Sequence, residues 1–252
     1  NDDDPKPLFV DHSLDDPFLL GLLEAMGDSA TLVMPIAARG TLLGVLSLGV
    51  VDRPERVEPR PEILDLLSGI AAQAATALEN GRLIDHITHQ ALHDSLTDLP
   101  NRELFARRLE QAVAAAEGKD EAVALLYVDI DDFKAVNDAY GHAVGDALLQ
   151  LVAARLALAL RAGDTVARLG GDEFAMVIAA VSSPEEIDAV AGRISHAFDL
   201  PFAIEEISLP ISASVGRAVW PADATEVESL VRSADSAMYG VKRDRAARGL
   251  LE

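Results

Sequence analysis

The 252-residue chain contains no cysteine. That excludes disulfides and thiolate metal sites, and it fits a reducing compartment. Basic residues are scarce: 21 Lys and Arg stand against 42 Asp and Glu, a formal charge of -21. Such an acidic surface repels phosphate backbones, which argues against non-specific binding of nucleic acid or anionic membranes. A phosphorylated ligand would need a local island of Lys and Arg together with a metal ion. No apolar run is long enough to cross a bilayer, and no signal peptide is present, so cytoplasmic placement is expected. The first residue is Asn. The chain therefore reads as a piece of a longer protein, with an upstream membrane segment left open and Leu251-Glu252 as an appended scar.

Half of the residues are hydrophobic and 25% are charged. This is a globular composition, long enough for one large or two ordinary domains. Residues 1–17, acidic and Pro-bearing, read as a loose lead-in. Pro17 to Met26 is amphipathic and short. Two β-rich runs follow, Thr31 to Ile36 and Thr41 to Val51, with Ala38-Arg39-Gly40 as the turn. Pro35 predicts an edge strand or a bulge.

From Pro61 the period changes. Ile63, Leu67, Ile70, Ala74, Ala77, Gly81 and Ile84 form a heptad-like seam on a helix expected to run to about His93. Its first half should pack on the preceding sheet, and its second half should emerge as a linker able to pair with a second copy. His86, His89 and His93 fall near one face. Solvated helix histidines are commoner than metal sites, so the metal reading is the minor one.

The second half carries the chemistry. Glu121 to Ile130 reads as a buried strand that ends in Asp129-Ile130-Asp131-Asp132. Carboxylates at the end of a core strand are costly unless solvated, paired or holding a cation. Strand alternation puts Asp129 and Asp131 on one face. An EF-hand would need oxygen ligands and a glycine where Phe133 and Lys134 stand, so that reading fails. Asn137 and Asp146 offer donors and acceptors for a nucleobase edge, or caps for helix ends. Asp146 is expected just ahead of an apolar helix from Ala147 to Leu160.

Thr165 to Leu169 and Phe174 to Ile178 flank Gly170-Gly171-Asp172-Glu173, which predicts a tight hairpin. A strand ending in Asp129 beside a hairpin tip carrying Asp172 and Glu173 makes a hard-cation site suited to Mg²⁺, with Mn²⁺ as the alternative. Such a site serves phosphoryl or nucleotidyl transfer.

Gly170-Gly171-Asp172-Glu173-Phe174 resembles the signature of the GGDEF diguanylate cyclases. The resemblance extends through Asp94-Ser95-Leu96-Thr97-Asp98-Leu99-Pro100-Asn101-Arg102, Asp129 to Asp138, Gly141 to Asp146, Ile211 to Gly216 and Ala234 to Tyr239. Ordered motifs over so long a stretch are far more specific than one alone. The resemblance implies an α+β, ferredoxin-like cyclase palm over residues 94–252 that condenses two GTP into cyclic di-GMP with release of two pyrophosphates. Carried over, Asp129, the Ile130 carbonyl and Asp172 hold metal. Asp172 is also the candidate base, with Glu173 beside it. Asn137 and Asp146 read guanine, and Phe133, Lys134 and Lys242 lie against the phosphates. Arg161 and Asp164 match the family's inhibitory product site, where cyclic di-GMP restrains the enzyme.

The chain departs from the family after Lys242. Lys242-Arg243-Asp244-Arg245 lacks the glycine and following arginine that the family carries, which leaves Arg245 as the substitute phosphate contact. Residues 1–80 resemble the C-terminal half of a GAF sensor domain, on Leu32 to Ile36, Gly40 to Leu48 and Ile70 to Asn80. Residues 81–93 are then a helical linker. Together these imply a sensor-regulated homodimer through the Pro61–His93 helix, with facing cyclase domains. The alternative is a catalytically silent module that binds GTP or cyclic di-GMP and regulates a downstream phosphodiesterase domain. Intact Asp129, Asp172 and Glu173 favour the enzyme, and the altered tail after Lys242 leaves room for the alternative.

Overall fold

The computed structural model describes residues 5–119 and 121–249. Leu251-Glu252 lies outside them. The chain divides into two compact units, residues 1–88 and 89–252. Among the described residues, no helix is long and apolar enough to cross a membrane.

In the first unit, β1 (Leu8–Asp11), β2 (Ala30–Ala38) and β3 (Thr41–Val50) form an antiparallel sheet in the order β1-β2-β3. Helix α1 (Pro17–Met26) starts under an Asp16 cap that accepts from the Phe18 and Leu19 amides. β1 corrects the expected lead-in. Its apolar core, Leu8-Phe9-Val10, is too short to stand out by pattern, and pairing with β2 makes it a strand. β2 is central, yet β1 pairs only with Ala30–Val33, so Pro35 lies on a free stretch of edge. The register shifts just beyond it, between Ile36 and Ala37.

Helix α2 (Pro61–Leu92) follows. Leu67 and Ala71 pack on Ala30, Leu32 and Met34 of the sheet. The buried stripe is Leu67, Ala71 and Ala75, while Ile70 and Ile84 of the predicted seam stay 43% and 63% exposed. The N-terminal part of the seam, Ile63 and Leu67, thus belongs to the packing face, while Ile70 and Ile84 lie off it.

The second unit contains β4 (Ala122–Ile130), β5 (Thr165–Gly170), β6 (Glu173–Val181) and β9 (Ala213–Trp220), antiparallel in the order β5-β6-β4-β9. With helices α5 (His142–Leu158) and α6 (Pro184–His196) as connections, the order is β-α-β-β-α-β, the ferredoxin-like pattern. The expected α+β palm is what the chain forms. A small hairpin, β7 (Phe202–Ile204) and β8 (Ile207–Leu209), precedes β9.

β4 is buried on both faces, and its alternation sorts the core. Val123, Leu125 and Tyr127 meet α3 (Arg102–Ala116) and α7 (Val227–Gly249). Ala124, Leu126, Val128 and Ile130 meet α5 and α6. Each fully buried leucine contributes about 1.5–3 kcal/mol of transfer free energy. Asp129 therefore emerges on the α7 side, at the end of the best-packed strand in the unit.

Candidate functional site

The hairpin turn is tighter than Gly-Gly alone. Gly170 already pairs with Glu173, so the connecting residues are Gly171 and Asp172. Gly170 and Gly171 have φ of 140° and 54°, values that a side chain would strain. The Ile130 amide donates to the Asp172 carbonyl at 3.3 Å, which ties the turn to the end of β4. Asp129 is the register partner of Glu173 on one side and Ser214 on the other. The turn and the strand end thus converge, and Asp129 feels the Asp172 charge.

Charges from α7 close this group. Lys242 Nζ donates to Asp129 Oδ1 at 2.6 Å. Burial pushes the Asp129 carboxyl up; Lys242 opposes this and Asp172 adds to it. The hydrogen bond to Asp129 in turn raises the Lys242 ammonium. Asp131 accepts from Ser212 Oγ at 2.6 Å, Ser214 Oγ at 2.7 Å and Arg245 Nη1 at 2.5 Å. Burial pushes Asp131 up, but these three donors outweigh it and hold the carboxyl below its ordinary value. Arg245 also donates to the Ala213 carbonyl at 2.8 Å, so it braces the strand ends from within. Glu173 lies 3.6 Å from Arg102 Nη2 of α3.

Asp129 and Asp172 are the carboxylates able to hold a hard cation here. Among the described residues, no three His, Asp or Glu side chains gather closely enough to hold one unaided. A cation would need backbone or phosphate oxygens to complete its shell, which is how Mg²⁺ is commonly held. The Lys242 ammonium against Asp129 shows that the strand end takes a positive charge.

Phe133 and Lys134 open α4 (Phe133–Tyr140) directly after Asp131-Asp132. Phe133 packs partly into the core, and Lys134 is exposed. Gly141, at φ 85°, breaks the helical run, and α5 begins at His142. Asp146 therefore lies inside the helix rather than ahead of it, exposed, and is no cap. Asn137 is brought to it across the helical hairpin. A Cβ on Gly145 would stand 2.0 Å from Asn137 Oδ1, so the glycine admits that side chain against α5.

The GGDEF family model, described as diguanylate cyclase, GGDEF domain, matches residues 91–248. The chain belongs to the GGDEF diguanylate cyclase family. The GAF domain model matches residues 3–78. The bifunctional diguanylate cyclase/cyclic di-GMP phosphodiesterase MucR of Pseudomonas aeruginosa is 47% identical over 197 residues, covering 78% of this chain and 27% of that protein. Diguanylate cyclase TpbB of the same species is 39% identical over 206 residues, covering 81% of this chain and 46% of that protein. The chain thus spans less than half of either relative. Among solved structures, the coiled coil and GGDEF domain of DgcB from Caulobacter crescentus, in complex with c-di-GMP, superposes with a TM-score of 0.64 at 27% identity. It covers 71% of this chain and 95% of that one.

Arg161 and Asp164 of this GGDEF unit lie apart from the carboxylate group, at the β5 entrance. Arg161 lines a cavity of about 400 Å³ with Leu158, Glu186 and Arg193. Its Nη1 donates to Glu186 Oε1 at 2.5 Å and its Nη2 to the Ala179 carbonyl at 2.9 Å. The Asp164 side chain is 1% exposed, and among the described residues its Oδ1 has no hydrogen-bond partner. A larger cavity, about 650 Å³ beside Arg217 and Asp223, touches none of the motif carboxylates.

Two groups escaped sequence reasoning. Glu186 and Arg193 reach the Arg161 cavity from α6, a stretch with no motif. Arg168, seen only as a hairpin residue, joins the turn to the domain entrance. Its Nε and Nη2 donate to the Gly171 carbonyl at 3.0 and 2.8 Å, and its Nη1 to Asp94 Oδ1 and Oδ2 at 2.9 and 3.1 Å. The Arg168 amide donates to the Pro100 carbonyl at 3.0 Å. The Asp94 motif was legible; its partner, 74 positions away, had no local signal.

Proposed function

We propose that the chain is the sensor-linked cyclase portion of a larger protein, and that it condenses two GTP into cyclic di-GMP with release of two pyrophosphates. The observation that carries this reading is the convergence of the β4 end at Asp129 with the Gly171-Asp172 turn. Beside it stands the α4–α5 hairpin bearing Asn137 and Asp146. TpbB and MucR carry the same activity in their names.

Asn137 and Asp146 bind the guanine edge of one GTP. The α4 N-terminus at Phe133-Lys134, with Lys242, takes its phosphates; helix N-termini and ammonium groups suit anions. Asp129, the Ile130 carbonyl and Asp172 hold a divalent cation, Mg²⁺ by preference, which neutralises phosphate charge when bound. Asp172 takes the proton of the attacking 3′-hydroxyl, and Glu173 sits beside it. Lys242 moves its charge from Asp129 toward the triphosphate. Each unit positions one GTP, so two units must face one another. The exposed α2 seam at Ile70, Ala77 and Ile84 pairs two chains for that encounter. Residues 1–80 act as the sensor unit, 81–93 as the linker and 94–252 as the cyclase. Arg161 and Asp164 form a product site that restrains turnover.

The test is incubation with GTP and Mg²⁺, with cyclic di-GMP measured by chromatography. Asp172→Ala should abolish product while its urea midpoint stays near wild type. Normal turnover in that variant would refute the metal and base assignment. A second reading, a silent nucleotide-binding module, draws on Arg245, which is committed to Asp131 and Ala213 rather than to the open site. GTP bound without product at high protein concentration would select it.

A further inference from the structure

The Arg161 cavity is not presented to a ligand as an open cation. Phosphate is gripped best by parallel N–H groups of a guanidinium fork. Here Nη1 serves Glu186 Oε1 at 2.5 Å and Nη2 serves the Ala179 carbonyl at 2.9 Å. Glu186 is itself anchored. Its Oε2 accepts from the Ser182 amide at 3.1 Å, at the first turn of α6. That backbone bond, with the Arg161 charge, holds the carboxyl below its ordinary value, so the group is an anion at neutral pH. The second arginine of the cavity, Arg193, spends its Nε on the Ala159 carbonyl at 2.8 Å.

Asp164, which pairs with Arg161 but does not line the cavity, is the reverse. Its Oδ1 is buried, has no donor among the described residues, and lies 3.6 Å from Arg161 Nε. A buried acceptor without a partner is costly, and a ligand N–H aimed at it is rewarded. Asp164 beside Arg161 thus leaves an acceptor open to a donor, while the cavity holds its cation closed with the Glu186 carboxylate.

We propose that Glu186 is a built-in competitor for the Arg161 fork, which an anionic nucleotide diester must displace from Arg161 before it can occupy the cavity. The inference rests on the reading of Arg161 and Asp164 as the product site, and it deepens that reading. Glu186 sets the product concentration at which restraint begins. An unoccupied fork would hold the first product formed, whereas a competed one lets product accumulate first.

The experiment is calorimetric titration of the full chain with cyclic di-GMP, without GTP, for wild type, Glu186→Gln, Glu186→Ala and Arg161→Ala. Thermal melts confirm that each variant is folded. A like charge about 5 Å from a bound phosphate, at an effective dielectric between about 20 and 80, weakens binding by roughly tenfold. Both Glu186 variants should therefore bind roughly tenfold tighter than wild type, with a gap that narrows in high salt. Arg161→Ala should bind far more weakly. Unchanged or weaker binding in Glu186→Gln and Glu186→Ala, with Arg161→Ala impaired, overturns the competitor role and leaves the product site standing. Wild-type affinity in Arg161→Ala overturns the product site, and the competitor with it.

Discussion

Removing the Arg168 guanidinium should loosen the Gly171-Asp172 turn and destabilise the second unit together. The side chain is 11% exposed and its Asp94 partner 22%. In Arg168→Met, Asp94 loses its counter-charge and the Gly171 carbonyl loses two donors. Breaking a fully buried ion pair costs about 3–5 kcal/mol. Asp94 keeps the Thr97 amide and hydroxyl, at 2.9 and 2.7 Å, and both partners retain some solvent. The expected loss is therefore smaller, about 2–3 kcal/mol. Trp220, the chain's single tryptophan, lies on β9 and reports this unit alone. With a urea slope of about 1–3 kcal/mol/M, the Trp220 fluorescence midpoint should fall by about 1–2 M. A double cycle with Asp94→Asn should show a coupling of about 1 kcal/mol or more. Burial pushes Asp94 up, but Thr97 and Arg168 outweigh it and hold its carboxyl below the ordinary value of 3.8. A depressed carboxylate stabilises the fold above that ordinary value and ceases to as pH falls through the folded one. The wild type should therefore lose more stability than Arg168→Met on acidification across that window. An unshifted midpoint, or additivity with Asp94→Asn, would refute the clamp.

Two further outcomes test other parts of the molecule. Ile84→Glu places a charge on the exposed α2 seam; sedimentation should show wild type near twice 26.7 kDa and the variant near 26.7 kDa. Cyclic di-GMP formation should fall with it, and an unchanged mass would remove the seam from the dimer. Leu125→Ala opens a cavity in the middle of β4, where Leu125 is 0% exposed. It should cost about 2–5 kcal/mol in the Trp220 transition, and a cost below about 1 kcal/mol would mean that β4 is not the core strand.

The parts of the fold legible in sequence were those with a local signature. β4 announced itself as an unbroken apolar run, and Gly170-Gly171 as a hairpin, because strand burial and positive φ leave direct marks on residue type. β1 did not, since a strand of four residues owes its existence to the partner it pairs with. The start of α5 was misplaced by five residues, from Ala147 to His142, because an apolar stripe marks where a helix packs rather than where it begins.

By itself the sequence determined which groups are available: carboxylates at the end of a buried strand, two acids in a glycine turn, and an Arg161–Asp164 pair three residues apart. Chain order and residue type are sufficient for that. Only the tertiary structure decided what each group touches. It put Lys242 on Asp129, Arg245 on Asp131, Arg168 between Gly171 and Asp94, and Glu186 in the fork of Arg161. These contacts join segments up to 114 positions apart. A long-range ion pair is chosen by the packing of whole helices on the sheet, and it leaves no period or spacing in the chain from which it could be read.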